Sequence, residues 1–189
     1  PNPASVLAFI ENHDTDRFLG EGNNLPMLKQ ASTLLLTTRR IPQLYYGTEV
    51  MMNGVKSKSD GYVRKDFPGG WTGDATNALT PAGRTKIQNE CYDFYKTILN
   101  WRKGNDVIAK GSMVQFMVQN GVYAYARQYE GKTIFVMLNG TDAETTVPLK
   151  FYKEILKDSK QGKDILSGKA ITFGEELKMG PRESLVIEL

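Results

Sequence analysis

The fold of this chain is indicated first by the stretch VLAFIENHDTDR, which runs from Val6 to Arg17. Its first five residues are apolar, as in a strand buried on both faces of a parallel sheet. The run ends in carboxylate, amide, imidazole and guanidinium groups, among them His13, the only histidine of the 189 residues. Barrel strands carry active-site residues at this end. We therefore predict a barrel strand here, followed by part of an active site.

Together with the segment that follows it, this strand predicts a βαβ unit of about 40 residues. GEGNN at residues 20–24 is typical of a loop. Pro26 then opens a helix whose apolar residues recur at helical spacing to about Arg39. IPQLYY, from Ile41 to Tyr46, predicts a second strand that Gly47 ends. Because a helix joins the two strands, we expect them to be parallel neighbours, with their polar ends at the same edge.

A long polar segment, from Met52 to Asn77, follows the second strand. Loops of this length are uncommon unless they have a function, such as walling a site. Arg64 and Trp71 are its candidate site residues. The alternative is an ordinary loop in which Trp71 and Phe67 only pack the segment down.

A second helix is predicted to begin at Thr80-Pro81 and to end at Arg102-Lys103-Gly104. Its buried stripe has helical spacing and consists of Ile87, Cys91, Phe94, Ile98 and Trp101. Cys91 is the only cysteine, which excludes an internal disulfide. Its place on this stripe predicts a buried structural thiol.

Beyond about Asn105 the pattern changes to that of antiparallel strands. Asn120-Gly121 and Glu130-Gly131 are hairpin signals between three predicted strands at 113–118, 122–128 and 133–138. Further short strands are predicted at 145–149, 152–156, 169–173 and 184–188. Strands at such intervals suggest a β-sandwich. The fold class is therefore α/β followed by all-β, with domains at 1–104 and 105–189.

Composition excludes several classes of partner. Lys and Arg total 24 and Asp and Glu 21, and the basic residues are scattered, so we expect no nucleic-acid partner. No apolar run approaches the roughly 20 residues that a membrane helix needs, so we expect no membrane partner. The chain opens at Pro1 without the pattern of a signal peptide, and its compartment is not indicated.

The cluster Asn12-His13-Asp14 places an imidazole beside a carboxylate, which suits hydrogen bonding to a polar substrate. The alternative is a polar cluster that only organises a loop, and Glu11, Asp16 and Arg17 nearby favour function. A two-metal site needs several histidines, whereas this chain has one. We expect no metal and no cofactor.

Two stretches resemble motifs of the α-amylase family of glycoside hydrolases. FIENHD, from Phe9 to Asp14, is similar to the end of that family's seventh barrel strand, and IPQLYYGTE, from Ile41 to Glu49, to its eighth. Three shorter stretches are similar to cyclomaltodextrinases and neopullulanases in particular: DTDRF from Asp14, DFPGGW from Asp66 and GRT from Gly83.

The resemblance implies that residues 1–104 are the last two βα units of a (β/α)₈ TIM barrel and that residues 105–189 are the family's C-terminal β-sandwich. It implies a retaining hydrolase of cyclodextrins, pullulan or malto-oligosaccharides. Asp14 matches the aspartate that stabilises the transition state, and His13 matches a histidine that contacts the same sugar. The further substrate-binding candidates are Asn12, Arg17, Glu49, Arg64 and Trp71.

The family's nucleophile and general acid lie in motifs of the types Gly-Phe-Arg-x-Asp and Gly-Glu-x-Trp, and this sequence contains neither. Asp14 and Glu49 are a weaker candidate for a complete carboxylate pair. We therefore expect the chain alone to be inactive and its ligand to be an α-glucan oligosaccharide. We also expect an N-terminal part of the same enzyme, or a second chain, to cover the exposed barrel edges. The alternative is a non-catalytic β-sandwich module for carbohydrate contact.

Overall fold

The computed structural model describes residues 3–20 and 22–189. The parts of the predictions that concern Pro1, Asn2 and Glu21 lie outside the described residues.

The predicted βαβ unit is present, with shorter strands than expected. Strand β1 (Leu7–Ala8) and strand β2 (Ile41–Pro42) are parallel, with Leu7 opposite Ile41, and helix α1 (Leu25–Thr37) joins them. The prediction that β2 reaches Tyr46 is wrong. The Gln43 amide donates to the Ala8 carbonyl at 2.8 Å, and after this bond the chain leaves the sheet. It turns at Gly47, whose φ is +81°, into a 3₁₀ turn, Thr48–Val50.

Helix α1 packs against helix α3 (Lys86–Arg102), and the two share one apolar cluster. The side chain of Asn24 caps α1 by accepting from the Met27 amide at 3.1 Å. Between α1 and α3 the long polar segment contains one short helix, α2 (Asp60–Val63). The buried contact is made by Leu25, Leu28, Leu36, Cys91, Phe94, Tyr95 and Ile98.

The predicted start of the second helix at Thr80 is wrong. Thr80 caps only a 3₁₀ turn, Pro81–Gly83. Helix α3 begins after Thr85, because Thr85 and Gln88 form a reciprocal capping box. Ile87, assigned to the buried stripe, is 49% exposed in the first turn. Past α3, a short helix α4 (Asp106–Lys110) leads into the β part.

The β part contains two antiparallel sheets. The strands are β3 (Ser112–Gln115), β4 (Val122–Tyr129), β5 (Lys132–Asn139), β6 (Thr145–Pro148), β7 (Gln161–Asp164), β8 (Ala170–Thr172), β9 (Glu176–Met179) and β10 (Ser184–Glu188). The larger sheet has the order β3-β4-β5-β10-β7-β8, and β6 pairs with β9 in the smaller one. Both predicted hairpin turns are confirmed, since Asn120-Gly121 and Glu130-Gly131 have positive φ at both positions.

The larger sheet is buried on both faces, and β4 shows this by alternation. Ala124 and Ala126 pack toward the smaller sheet, together with Val147 and Met179. Tyr125 belongs to the cluster on the opposite face, which includes residues of α4.

The strand predicted at 152–156 is wrong. Residues Leu149–Tyr152 form a 3₁₀ helix and Lys153–Leu156 form helix α5. Tyr152, Ile155 and Leu156 are buried while Lys153 and Glu154 are exposed, which is helical rather than alternating spacing. Strands β7 and β9 were not predicted, because their short, charged sequences lack a β-branched run.

None of the described helices is long and apolar enough to cross a membrane. The small β1–β2 sheet leaves large apolar side chains exposed, namely Val6 (43%), Leu7 (53%), Phe9 (44%) and Ile41 (49%).

Candidate functional site

Three of the predicted site residues meet just beyond β1. The Nε2 of His13 lies 3.1 Å from Oδ2 of Asp14. Nη2 of Arg64 lies 2.9 Å from the other carboxylate oxygen of Asp14, and Nε of Arg64 donates to the His13 carbonyl at 2.9 Å. Arg64, 50 positions along the chain, therefore fixes both the backbone and the carboxylate of the predicted pair.

The turn that carries this cluster is held by side chains of its own sequence. Oδ1 of Asn12 accepts from the Asp14 amide at 2.8 Å, and the Asn12 amide donates to Oγ1 of Thr15 at 3.0 Å. Asn12 thus has a positioning role here, because its carbonyl oxygen is engaged with the turn.

Beneath the cluster lies a buried ion pair, Glu11–Arg17. Glu11 is 2% exposed; its carboxylate accepts from the Phe18 amide and the Thr48 hydroxyl and lies 3.4 Å from Nη1 of Arg17. A buried charge is stable only when it is paired and hydrogen-bonded. Glu11 therefore connects the end of β1 to the segment after β2.

The prediction that Arg17 contacts substrate is corrected by its position, since only 1% of it is exposed. Its Nε donates to the Val63 carbonyl at 3.1 Å and its Nη1 to the Tyr46 carbonyl at 2.6 Å. The guanidinium also stacks 3.9 Å above the ring of Tyr45. Burial raises the pKa of Tyr45, and the charge of Arg17 opposes that rise.

Two further predicted residues lie apart from the cluster. Glu49 is half-buried in the 3₁₀ turn, and none of the hydrogen bonds or ion pairs found between described residues joins it to Asp14. The charge of Glu49 instead contributes to the raised pKa of Cys91, behind burial, which is the main cause. Trp71 is 71% exposed on its loop, and its amide donates to Asp74.

Sequence reasoning missed Lys56. Its Nζ donates to the Asp14 carbonyl at 2.9 Å, and its amide donates to the carboxylate of Asp16. The only available signal was the length of the loop that contains it, because nothing in the local pattern indicates a partner 40 residues away.

The cluster is open to solvent, with the side chains of His13 and Asp14 each 58% exposed. An exposed carboxylate held by a guanidinium, beside an imidazole, suits bidentate hydrogen bonding to neighbouring hydroxyl groups. In the described part of the chain, no three His, Cys, Asp or Glu side chains form a group that could hold a metal ion.

Parts of several known proteins are similar in sequence to this chain. Residues 113–188 match the model of the cyclo-malto-dextrinase C-terminal domain. An α-amylase of Niallia circulans is 30% identical over 176 residues, covering 89% of this chain and 29% of the relative. Most of this chain is therefore similar to part of an α-amylase, and its β part is similar to the cyclo-malto-dextrinase C-terminal domain. A cyclomaltodextrin glucanotransferase of Thermoanaerobacterium thermosulfurigenes is 31% identical over 168 residues, covering 85% of this chain and 21% of the relative.

Solved structures of two α-amylases are similar to this chain in fold. An Anoxybacillus α-amylase matches with a TM-score of 0.77 at 20% identity over 99% of this chain and 38% of its own. The α-amylase of Geobacillus thermoleovorans, solved with acarbose, has a TM-score of 0.75 at 23% identity, over 98% of this chain and 39% of its own. The chain spans less than a third of the length of the curated relatives named above.

Proposed function

We propose that this chain contributes the sugar-holding part of an α-glucan hydrolase or transferase site, with Asp14 and His13 as the contacting groups. The observation that carries the proposal is the cluster itself. His13 and Asp14 lie 3.1 Å apart beyond a strand with a parallel neighbour, and Arg64 holds them from the following loop.

The barrel assignment of residues 1–104 is part of this proposal. It is supported by the parallel pairing of β1 with β2, by the helix that joins them, and by the likeness of nearly the whole chain to α-amylase structures. On this assignment the exposed apolar residues of β1 and β2 face the remaining strands and helices of the barrel. An N-terminal part of the same enzyme or a second chain would supply these elements.

In the proposed site, the carboxylate of Asp14 accepts hydrogen bonds from two adjacent hydroxyls of one hexose, and His13 contacts the same ring. Positive charge develops at the anomeric carbon as a glycosidic bond breaks. A nearby carboxylate stabilises that charge, and the ion pair with Arg64 keeps it oriented. Neither residue serves as nucleophile or general acid, so we expect no hydrolysis of cyclodextrin or pullulan by the 189-residue chain alone.

The test uses His13 as a single probe, because the chain has no other histidine. The imidazole signals are followed by NMR while maltoheptaose, an α-glucan, is added to the 189-residue chain, with cellohexaose as the β-linked comparison. We expect a saturable shift with maltoheptaose only, and Asp14→Asn should weaken binding about tenfold, equivalent to one lost charge-assisted hydrogen bond.

The matched control is Asp142→Asn. Asp142 is also exposed and paired with an arginine, since Nε of Arg182 lies 2.7 Å from its carboxylate, but it belongs to the β part. Its replacement should leave the binding constant unchanged. Maltoheptaose binding that leaves the His13 signals unmoved would instead favour a carbohydrate-contact module in the β-sandwich.

A further inference from the structure

A second concave surface lies at the other end of α3. It encloses a cavity of about 600 Å³, within the range of about 300–1,000 Å³ usual for ligand pockets. Its walls are the end of α3 at Trp101, the start of α4, the turn between β4 and β5, and the end of β10. We call it the Trp101 groove.

The Trp101 groove is remote from the His13 cluster. At the near end of α3, Nε2 of Gln88 donates to the Val50 carbonyl at 3.0 Å, in the same 3₁₀ turn whose Thr48 hydroxyl donates to Glu11. Trp101 follows Gln88 by 13 positions, which places it about 20 Å further along the helix. A ligand in the groove therefore uses different residues from one at Asp14.

Two half-buried aromatic rings line the groove. Trp101 is held by its indole, whose Nε1 donates to Oε1 of Glu188 at 2.7 Å. Tyr129 ends β4 and pairs with Lys132 across the hairpin turn. The hydrogen bond to Glu188 fixes the Trp101 ring, and both rings offer apolar faces with polar groups at their edges. Tryptophan and tyrosine side chains have only two side-chain torsions each, so they lose little conformational entropy on binding a ligand.

The charges around the groove are mixed. Lys103 and Lys132 carry positive charge, and Asp106, Glu130 and Glu188 carry negative charge. Such a balance favours neither a strong anion nor a strong cation. Asn105 adds a neutral donor, because its Oδ1 caps α4 through Ile108 and its NH₂ has no hydrogen-bond partner among the described residues.

We propose that the Trp101 groove is a second oligosaccharide-binding site, which takes a neutral, hydroxyl-rich α-glucan segment. The C–H face of a hexose packs on Trp101 and Tyr129, and its hydroxyls bond to Asn105 and to the carboxylates of Glu130 and Glu188. The ligand class rests on the proposed function, whereas the residues are independent of it. The groove would tether a glucan chain without taking part in bond cleavage.

The test follows the indole N–H signals of the two tryptophans, Trp71 and Trp101, in ¹⁵N-labelled 189-residue chain. The variant Trp71→Phe assigns the two signals. The wild-type chain is then titrated with maltoheptaose up to about 10 mM, which is about ten times the dissociation constant of about 1 mM that we expect. We expect a saturable shift of the Trp101 signal. Tyr129→Ala should weaken that binding about tenfold, as the loss of a central aromatic contact does.

Tyr123→Ala is the control, because Tyr123 is a half-buried tyrosine of the same strand and bonds to Gln115 outside the groove. It should leave the Trp101 titration unchanged. A Trp101 signal that stays fixed while the His13 signals move overturns the groove and leaves the proposed function intact. A Trp101 signal that moves while the His13 signals stay fixed supports the groove as a binding site and excludes the sugar-holding role of His13. An equal response of Trp101 to cellohexaose overturns the assignment to α-glucans.

Discussion

At the residue scale, the exposed pair His13–Asp14 depends on a buried pair below it. Glu11 and Arg17 are both almost inaccessible to solvent, and together they bond to the Thr48 hydroxyl and the carbonyls of Tyr46 and Val63. These contacts join the end of β1 to segments 29 to 46 positions away. The buried pair therefore fixes the turn on which the candidate sugar contacts stand.

Replacement of Glu11 by alanine tests this dependence. Glu11→Ala leaves the Arg17 charge buried without a carboxylate, which we expect to lower the free energy of unfolding by about 3–5 kcal/mol. Urea denaturation measures the change. Glu49→Ala is the control, since Glu49 is half-buried and outside the pair, and should cost less than about 1 kcal/mol. Equal losses in the two variants would refute the role assigned to Glu11.

Cys91 gives a prediction of pH dependence. Burial raises the pKa of its thiol from 9.0 to about 12. The thiol then ionises in the unfolded chain at a pH where the folded chain still binds the proton. Its contribution to stability is full below pH 9 and is lost as the pH rises toward 12, by about 1.4 kcal/mol for each pH unit.

The measurement compares wild type with Cys91→Ala by urea denaturation at pH 8 and at pH 10.5. Burial also raises the pKa of Tyr95 and Tyr125, so both proteins should lose stability in alkali. The loss should be smaller in Cys91→Ala, whatever the cost of the cavity at pH 8. Equal losses would mean that the thiol is not protected by the fold.

From the sequence, His13, Asp14, Arg64 and Arg17 are all candidate site residues. The structure brings the first three together, whereas the burial of Arg17 could not be predicted. Residues that directly follow the carboxyl end of a barrel strand lie at the face that carries the active site, so their approximate place can be predicted. Whether such a residue points to solvent depends on partners distant in sequence, and for Arg17 these are Tyr46 and Val63.

At the element scale, helix ends were the least predictable feature. Thr80 and Thr85 both precede helical turns, and only the second begins a helix of 17 residues. The sequence Thr85-x-x-Gln88 is a capping box, a more specific signal than a threonine before a proline. In the β part the two hairpin turns were predictable, because their second residue has a positive φ and is glycine in both. Strands β7 and β9 have no comparable sequence signal.

The two threonines can be compared directly. Thr85→Ala removes the side-chain cap of α3 and should destabilise the protein by about 1 kcal/mol, within the usual range of about 0.5–2. Thr80→Ala removes a cap from a three-residue turn and should cost less. Urea denaturation of both variants decides between them, and a larger loss at Thr80 would contradict the helix boundary.

At the scale of the whole molecule, Arg127 connects the helical and β parts. It is fully buried in β4, and its guanidinium donates to the carbonyls of Thr37, Ile108, Gly111 and Ser112 at 2.8–3.1 Å. Thr37 ends α1, and Ile108 and Gly111 belong to α4 and its C-cap, where the helix dipole favours positive charge. Burial lowers the pKa of Arg127 to about 10, so it remains charged at neutral pH.

Loss of this residue should therefore affect the whole fold. Arg127→Met removes the donor from four carbonyls, three of which accept in buried contacts, and we expect the free energy of unfolding to fall by at least about 3 kcal/mol. Arg182→Met, which removes an ion pair whose Asp142 side chain is 80% exposed, should cost less than about 1 kcal/mol. Similar urea midpoints for the two variants would show that Arg127 does not link the two parts.

We propose above that the His13–Asp14 cluster holds a sugar. A crystal structure of the chain soaked with maltoheptaose decides whether it does. We expect one hexose ring hydrogen-bonded to both the Asp14 carboxylate and the His13 imidazole, with the Arg64 contact retained. Glucan bound elsewhere on the chain, with His13 and Asp14 contacting only solvent, would contradict it.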